Sequence, residues 1–418
     1  MRKYPTEQDR STAGKPRLRA WRAARRAMAA AIVAVAACGC GAREHGPASN
    51  ATAVRRLDGS TIQAADIDAT VERLMRAARV PGVGLALLND ARVVYLKTYG
   101  VRSAAWNLPL LPDTVMSAAS FSKLAFAYLV MQLVQEGTLA LDTPVVQYLP
   151  RPLPEYEGYA DLAGDARHRK ITARMLLDHT SGFPNLRAFT DDKKLGIHFE
   201  PGTRYAYSGE GIGLLQLVVE SVTRRPLEDL MRERVFGPLG MTRSSMVWRW
   251  RFEWNHADGY DETGGSLGPQ RRFKASAIGS MQTTPADFAL FMQALMQGQG
   301  LNRETRALML EPQVAIRSKH QFPTLADETT EENQGIRLSY GLGAGLYWTP
   351  YGKAFFKEGH DDGWRNYTVC IDEARTGIVI MTNSSNGEGI YKELLESLLR
   401  DGYTPLEWEG FTPYDEKR

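Results

Sequence analysis

Apolar and polar positions alternate in different ways along this chain, and the changes of period mark its elements. Residues 64–80, "AADIDATVERLMRAARV", repeat apolar positions every three or four residues, which predicts an amphipathic helix with Asp66 or Asp68 placed to cap its start. After Pro81-Gly82 the period shortens. "GVGLALLND" and "ARVVYLKTYG", joined at Asn89-Asp90-Ala91, read as a strand hairpin. Near the other end "YGLGAGLYWT", "GKAFFKEG", "WRNYTVCIDE" and "TGIVIMTNS" predict further strands, followed by a helix in "EGIYKELLESLLRDG". Between these groups the pattern is mostly helical, at 120–137, 172–179, 210–224, 226–235, 285–298 and 302–311. Strands at both ends with helices between them predict an α+β fold, an α/β sandwich. One antiparallel sheet is built from N- and C-terminal strands and flanked by the terminal helices, with a mainly helical region inserted. A cleft is expected at the junction.

This pattern divides the chain as follows: 1–37 an export signal, 38–60 a flexible tether, 61–402 the folded domain and 403–418 a C-terminal tail. Within the domain, 61–115 and 338–402 form the sheet region and 116–337 the mainly helical region with insertions. Residues 244–276 and 312–337 are polar and aperiodic, as loops that rim a cleft would be. Trp248, Trp250 and Trp254 are candidates either to line a substrate site or to pack the insertion.

The first 37 residues carry nine Lys or Arg against Glu7 and Asp9, and end in the apolar run "AMAAAIVAVAA" before Cys38. That run is far short of the roughly 20 residues that cross a bilayer, so it reads as an export signal. "VAAC" at 35–38 resembles the lipobox of bacterial lipoproteins, which implies lipidation at Cys38 and a periplasmic or cell-surface location. A membrane would then be met only through the lipid anchor. Removing the signal takes the net charge from +3 to −4, so the basic excess belongs to the signal and gives no argument for nucleic acid as a partner. Beyond Cys38 and Cys40, beside the cleavage site, only Cys370 remains, so the body has no internal disulfide framework.

Candidate chemistry begins in "SAASFSKLAFAYLVMQLVQEG", residues 117–137. Ser120 and Lys123, three apart, share one face of a helix start. The lysine, turned toward the cleft, can serve the hydroxyl as a base if neighbouring cations ease off its proton, or Ser120 can simply cap the helix. In "PGTRYAYSGEGIGLLQLVVE", Tyr207 and Ser208 enter a second helix, and Tyr207 could relay a proton if positive charges depress its pKa. In "KEGHDDGWRNYTVC", Lys357 ends a strand-like run and Gly359 lets a ligand lie against the backbone. His360, Asp361 and Asp362 lack the spaced partners of a metal site.

Together these segments resemble the penicillin-recognising serine hydrolases: class C β-lactamases, D,D-peptidases and related esterases and D-amino-acid peptidases. The resemblance spans residues 65–400 or so and includes "ITARMLLDHTSGFPN" at 171–185 and "VFGPLGMTRSSM" at 235–246. It implies a β-lactamase/transpeptidase-like fold, Ser120 as acylated nucleophile, and Lys123, Tyr207 and Lys357 as its catalytic partners. Ser208, Gly209, Glu358, Gly359 and His360 would line the substrate and oxyanion side, His179 would be structural, donating hydrogen bonds within a turn, and no cofactor is implied. Two positions depart from the family pattern. Gly209 stands where lactam-acting relatives carry an asparagine, and Glu358 replaces a threonine, though strand alternation leaves open which way Glu358 points. The resulting expectation is hydrolysis of small esters, or of amides of D-amino-acid-like substrates, through an acyl-enzyme on Ser120. A β-lactamase or peptidoglycan D,D-carboxypeptidase is the alternative, with a peptidoglycan-derived substrate. A non-catalytic binding protein on the same fold is a third reading, against which stands the retention of serine, lysine and tyrosine.

Overall fold

The computed structural model describes residues 50–416. Cys38 and the export signal lie outside the described residues. Nine strands form one antiparallel sheet: β1 (Gly82–Asn89), β2 (Arg92–Ser103), β3 (Leu108–Pro109), β4 (Val314–Ala315), β5 (Ser339–Tyr340), β6 (Gly345–Thr349), β7 (Gly352–Asp361), β8 (Trp364–Ile371) and β9 (Thr376–Thr382). Their spatial order is β4-β5-β6-β7-β8-β9-β1-β2-β3, so the N-terminal hairpin joins the C-terminal strands where β9 pairs with β1. This is the predicted mixed α/β architecture.

The helices are α1 (Ala64–Ala78), α2 (Phe121–Gln135), α3 (Ala173–Leu177), α4 (Gly209–Thr223), α5 (Leu227–Met231), α6 (Pro285–Gln297), α7 (Arg303–Met309) and α8 (Tyr391–Leu394), which runs on as a wider π turn over Leu395–Leu399. Alternation along β1 decides what each sheet face meets. Leu85 and Leu87 join Ile67, Val71 and Leu74 of α1 and Leu394 and Leu398 near α8. Ala86 and Leu88 belong instead to the core that includes α2 and α6. Helix α2 is apolar around its whole circumference and nearly every residue is buried, as a central helix requires.

Three sequence boundaries shift. Ala53–Arg55, inside the expected tether, pair with Thr61–Gln63, because Val54 and Ile62 have a core to enter. The expected tail after residue 402 is packed down by Leu406, Trp408 and Phe411, all buried. Neither Asp66 nor Asp68 caps α1, whose N-cap is Gln63 without a side-chain bond. Asp68 instead accepts from Tyr95 (2.6 Å), Tyr99 (2.8 Å) and Lys97 (2.6 Å) on β2. Among the described residues no helix is long and apolar enough to cross a membrane.

Candidate active site

A two-stranded ladder sets the approach to α2. Met116 and Ser117 pair with Thr283 and Gln282, the Ala118 N–H donates to Met281 O at 2.9 Å, and Asn366 on β8 donates to Ser117 O at 3.0 Å. The chain then turns through Ala119, a non-glycine residue held at φ +47°, into Ser120 at the mouth of the helix. Such strained backbone persists only where its surroundings fix it. Among the described residues no backbone carbonyl takes the Ser120 N–H. Ser122 is occupied elsewhere, donating to Ala119 O at 2.6 Å and accepting from Met281 N at 3.0 Å.

Strand β7 forms the opposite wall. It pairs with β6 only as far as Phe356, so Lys357 to Asp361 are laddered on one side, to β8, and present their other edge to the cleft. Gly359 is required by proximity: a Cβ there would stand 2.7 Å from the Ala118 carbonyl oxygen. The strand edge thus lies directly against the segment that delivers Ser120.

The Lys123 ammonium donates to the Ser120 hydroxyl at 2.9 Å and to the Ile278 carbonyl at 2.6 Å. Burial first, and then the Lys357 charge, bring Lys123 down to about 7. It also lies 5.1 Å from the centre of the Tyr207 ring. Lys357, fully buried, donates to the Tyr207 hydroxyl at 3.1 Å and to the Glu358 carboxylate at 2.5 Å. The Glu358 carboxylate therefore turns toward Lys357, and Glu358 lines the cleft. The contact, rather than alternation, decides where the Glu358 carboxylate lies.

Tyr207 differs from expectation. Its phenol is pushed well above its ordinary value by burial and then by the Glu358 charge, so the expected depression by cations is outweighed. The phenol therefore keeps its proton, while Lys123 is the amine whose proton is easily lost. His179 is buried with its pKa held well below the usual value by burial and the charges of Lys357 and Lys123. Its Nδ1 accepts the Ser208 N–H at 3.2 Å, where donation was expected, and its ring stands 4.4 Å from that of Tyr207. Ser208 caps α4, its Oγ accepting from Gly211 N at 2.9 Å and donating to Pro184 O at 2.8 Å. It is fully buried in those bonds and is not part of the cleft wall.

Gly209 opens α4 against Asn185, whose side-chain oxygen accepts the Gly209 N–H at 3.2 Å. A Cβ at 209 would meet the Asn185 carbonyl at 2.8 Å. The space a side chain would use is taken by Asn185, which itself faces the cleft.

The cleft encloses about 970 Å³ and contains Ser120, Lys123, Tyr207, Glu358 and His360. Sequence reasoning missed Asn185, Ile278 and Phe322, which also line it. Asn185 ends the family-like segment 171–185 and was the one with a signal. Phe322 stands edge-on to Tyr207, ring centres 5.8 Å apart. The loop 271–276 forms a basic rim with Arg271, Arg272 and Lys274, and the exposed rings of Phe189 and Phe273 add apolar surface at the mouth. Of the three tryptophans none lines the cleft: Trp248 packs on Phe252 at 5.7 Å, while Trp250 and Trp254 are exposed.

A serine whose hydroxyl is bonded to a buried, easily neutralised lysine, with a protonated tyrosine and a second lysine alongside, is the constellation of an acyl-transfer enzyme. The chain belongs to the beta-lactamase family, whose model matches residues 67–399, and so to the penicillin-recognising serine hydrolases. It is 26% identical over 358 residues to penicillin-binding protein 4 of Amycolatopsis lactamdurans, covering 81% of this chain and 90% of that protein. It is 29% identical over 217 residues to esterase EstB of Burkholderia gladioli, 46% of this chain and 53% of that one. A putative D-alanyl-D-alanine carboxypeptidase of Escherichia coli K12 is 28% identical over 192 residues, 39% and 43% of the two chains. The chain thus spans about half the length of the esterase and less than half of the carboxypeptidase in these matches. In fold it is similar to the octameric penicillin-binding protein homologue of Pyrococcus abyssi, with TM-score 0.64, 23% identity and 78% and 74% of the two chains covered.

Proposed function

We propose that the protein is an exported hydrolase that forms an acyl-enzyme on Ser120 and acts on small esters or amides of D-amino-acid-like substrates. The observation that carries this reading is the 2.9 Å contact between the Ser120 hydroxyl and a Lys123 amine brought down to about 7. A base with that value is half unprotonated near neutral pH and strong enough to take the hydroxyl proton in the transition state.

In this scheme Ser120 Oγ attacks the substrate carbonyl as its proton passes to Lys123 Nζ. The oxygen of the tetrahedral intermediate is held by the backbone N–H groups of Ser120 and His360, one on each wall. On collapse the leaving group takes a proton from the Tyr207 phenol, which Lys123 replenishes. Water then attacks the Ser120 ester by the same route in reverse, and serine and amine return to their starting forms.

Two features support esters or uncharged amides over lactams. The carboxylate of Glu358 occupies Lys357, which weakens its attraction for a substrate carboxylate. Gly209 supplies no side-chain amide to the substrate. The names of the esterase and carboxypeptidase relatives support both halves of the substrate class. The basic n-region, the short apolar run and Cys38 support export with a lipid anchor. The test compares kcat/KM for p-nitrophenyl esters, D-amino-acid p-nitroanilides and nitrocefin. An ester or D-amide preferred by about a hundredfold is expected. Nitrocefin turned over as well or better would give the assignment to the β-lactamase alternative.

A further inference from the structure

The segment after residue 402 does more than cover the sheet. The Trp408 carbonyl accepts the Gln321 N–H at 2.9 Å, one residue before Phe322 in the cleft wall. The Phe411 ring lies tilted 4.9 Å from that of His360 and edge-on 5.8 Å from that of Tyr367. Between these anchors lies Glu409, 5% exposed. One of its carboxyl oxygens accepts from the Tyr367 hydroxyl at 2.7 Å, and the other has no hydrogen-bond partner although it is buried. Tyr367 is the cross-strand partner of Glu358 in the β7–β8 ladder. Residues directly opposite in an antiparallel pair share a face, so Glu409 lies over the face on which Glu358 is mounted.

We propose that Glu409 is a positioning residue for the catalytic lysine: anchored by Tyr367 behind Glu358, it keeps the Glu358 carboxylate turned to Lys357 and sets the charge of that pair. The proposal rests on the Ser120 hydrolase reading and deepens it.

Two carboxyl groups and one ammonium are buried together, and one ammonium compensates one carboxylate. The second carboxyl must keep its proton or bear a large desolvation cost. Burial, and then the Glu358 charge, push Glu409 well above the usual carboxylate range, so Glu409 is the one that stays neutral. Lys357 and Glu358 then form a balanced pair, and Lys357 keeps its bond to Tyr207. When Glu409 ionises at higher pH, a second negative charge behind Glu358 competes for Lys357 and draws it from the tyrosine. The phenols that face Glu409 do not share this titration. Tyr367 on β8, Tyr347 on β6, Tyr340 on β5, Tyr205 before α4 and Tyr391 on α8 are all held protonated by burial. The other ionisable side chains around Glu409 are Glu358, Lys357 and, beneath Phe411, His360.

The experiment measures pH profiles of kcat and KM on an ester substrate for the full chain, Glu409→Gln and Glu409→Ala, with active sites counted by fluorophosphonate labelling. Glutamine still accepts from Tyr367 and cannot ionise. Its kcat per labelled site is expected within about threefold of wild type at neutral pH, with the fall on the alkaline side displaced or gone, whereas alanine lowers kcat about tenfold at little change in KM. Profiles per labelled site that superimpose on wild type for both variants, even with lowered melting temperatures, overturn the proposal by making Glu409 a stabilising residue only. If the alanine variant does not fold, the glutamine profile decides alone. A wild type that takes no label defeats the hydrolase reading, and this proposal with it, which is a different result from labelled enzyme with unchanged profiles.

Discussion

The Lys123 ammonium nitrogen lies 2.9 Å from the Ser120 hydroxyl oxygen and 2.6 Å from the Ile278 carbonyl, held between the nucleophile and a segment more than 150 residues further along. The carbonyl fixes the amine in place, and burial keeps its charge weak. From this follows a pH dependence. Lys123 must be neutral to act as base, so kcat/KM rises with pH through about 7, ahead of the alkaline fall assigned to Glu409. Lys123→Met abolishes that limb together with most of the activity. A limb centred near the ordinary lysine value would contradict the assignment.

Glu358→Gln leaves the Lys357 ammonium buried without its carboxylate. Breaking a buried pair of this kind costs about 3–5 kcal/mol while the lysine stays charged. Lys357 is already lowered by burial and would be lowered further, so the folded variant binds fewer protons than its unfolded chain. Its stability deficit therefore shrinks as pH rises toward the ordinary lysine value. Urea midpoints of variant and wild type at acidic and alkaline pH check the sign. A deficit that is constant with pH would show that Lys357 is not the group left uncompensated.

Gly359→Ala places a Cβ 2.7 Å from the Ala118 carbonyl. The strand edge must move off the Ser120 segment, at a strain cost of about 1–3 kcal/mol. We expect kcat per labelled site to fall about tenfold or more, because small displacements of reacting groups are expensive. Unchanged turnover would mean that the β7 edge takes no part in the reaction.

Gly209→Asn tests the departure from the expected family pattern at this position. Its Cβ would meet the Asn185 backbone at 2.8 Å, so the substitution is expected to destabilise by about 1–3 kcal/mol and to bring no gain in nitrocefin turnover. A stable variant with raised nitrocefin turnover would show that the cleft was merely lacking an amide.

The parts of this account that were legible in the sequence are those carried by short-range pattern. The spacing of Ser120 and Lys123 placed them on one helical turn, and the short apolar runs of β1, β8 and β9 gave the sheet. The rest depends on contacts across long stretches of chain. Nothing near Lys123 announces Ile278, and nothing near Glu358 announces Glu409. Alternation leaves the direction of Glu358 open because its carboxylate reaches round to the neighbouring Lys357. Asp68 was read as a cap because a cap is a local event, whereas its hydrogen bonds go to three residues of β2.

Cys38→Ala tests the export reading. With the alanine in place the protein is expected to move from the membrane fraction to the soluble fraction, or to accumulate unprocessed. Membrane association that is the same with and without the cysteine would remove the lipid anchor from the account.

The most direct measurement is the intact mass of wild type and Ser120→Ala after exposure to a fluorophosphonate. The account predicts a single adduct on the wild type and none on the variant. An adduct on both proteins, or on neither, would contradict Ser120 as the nucleophile.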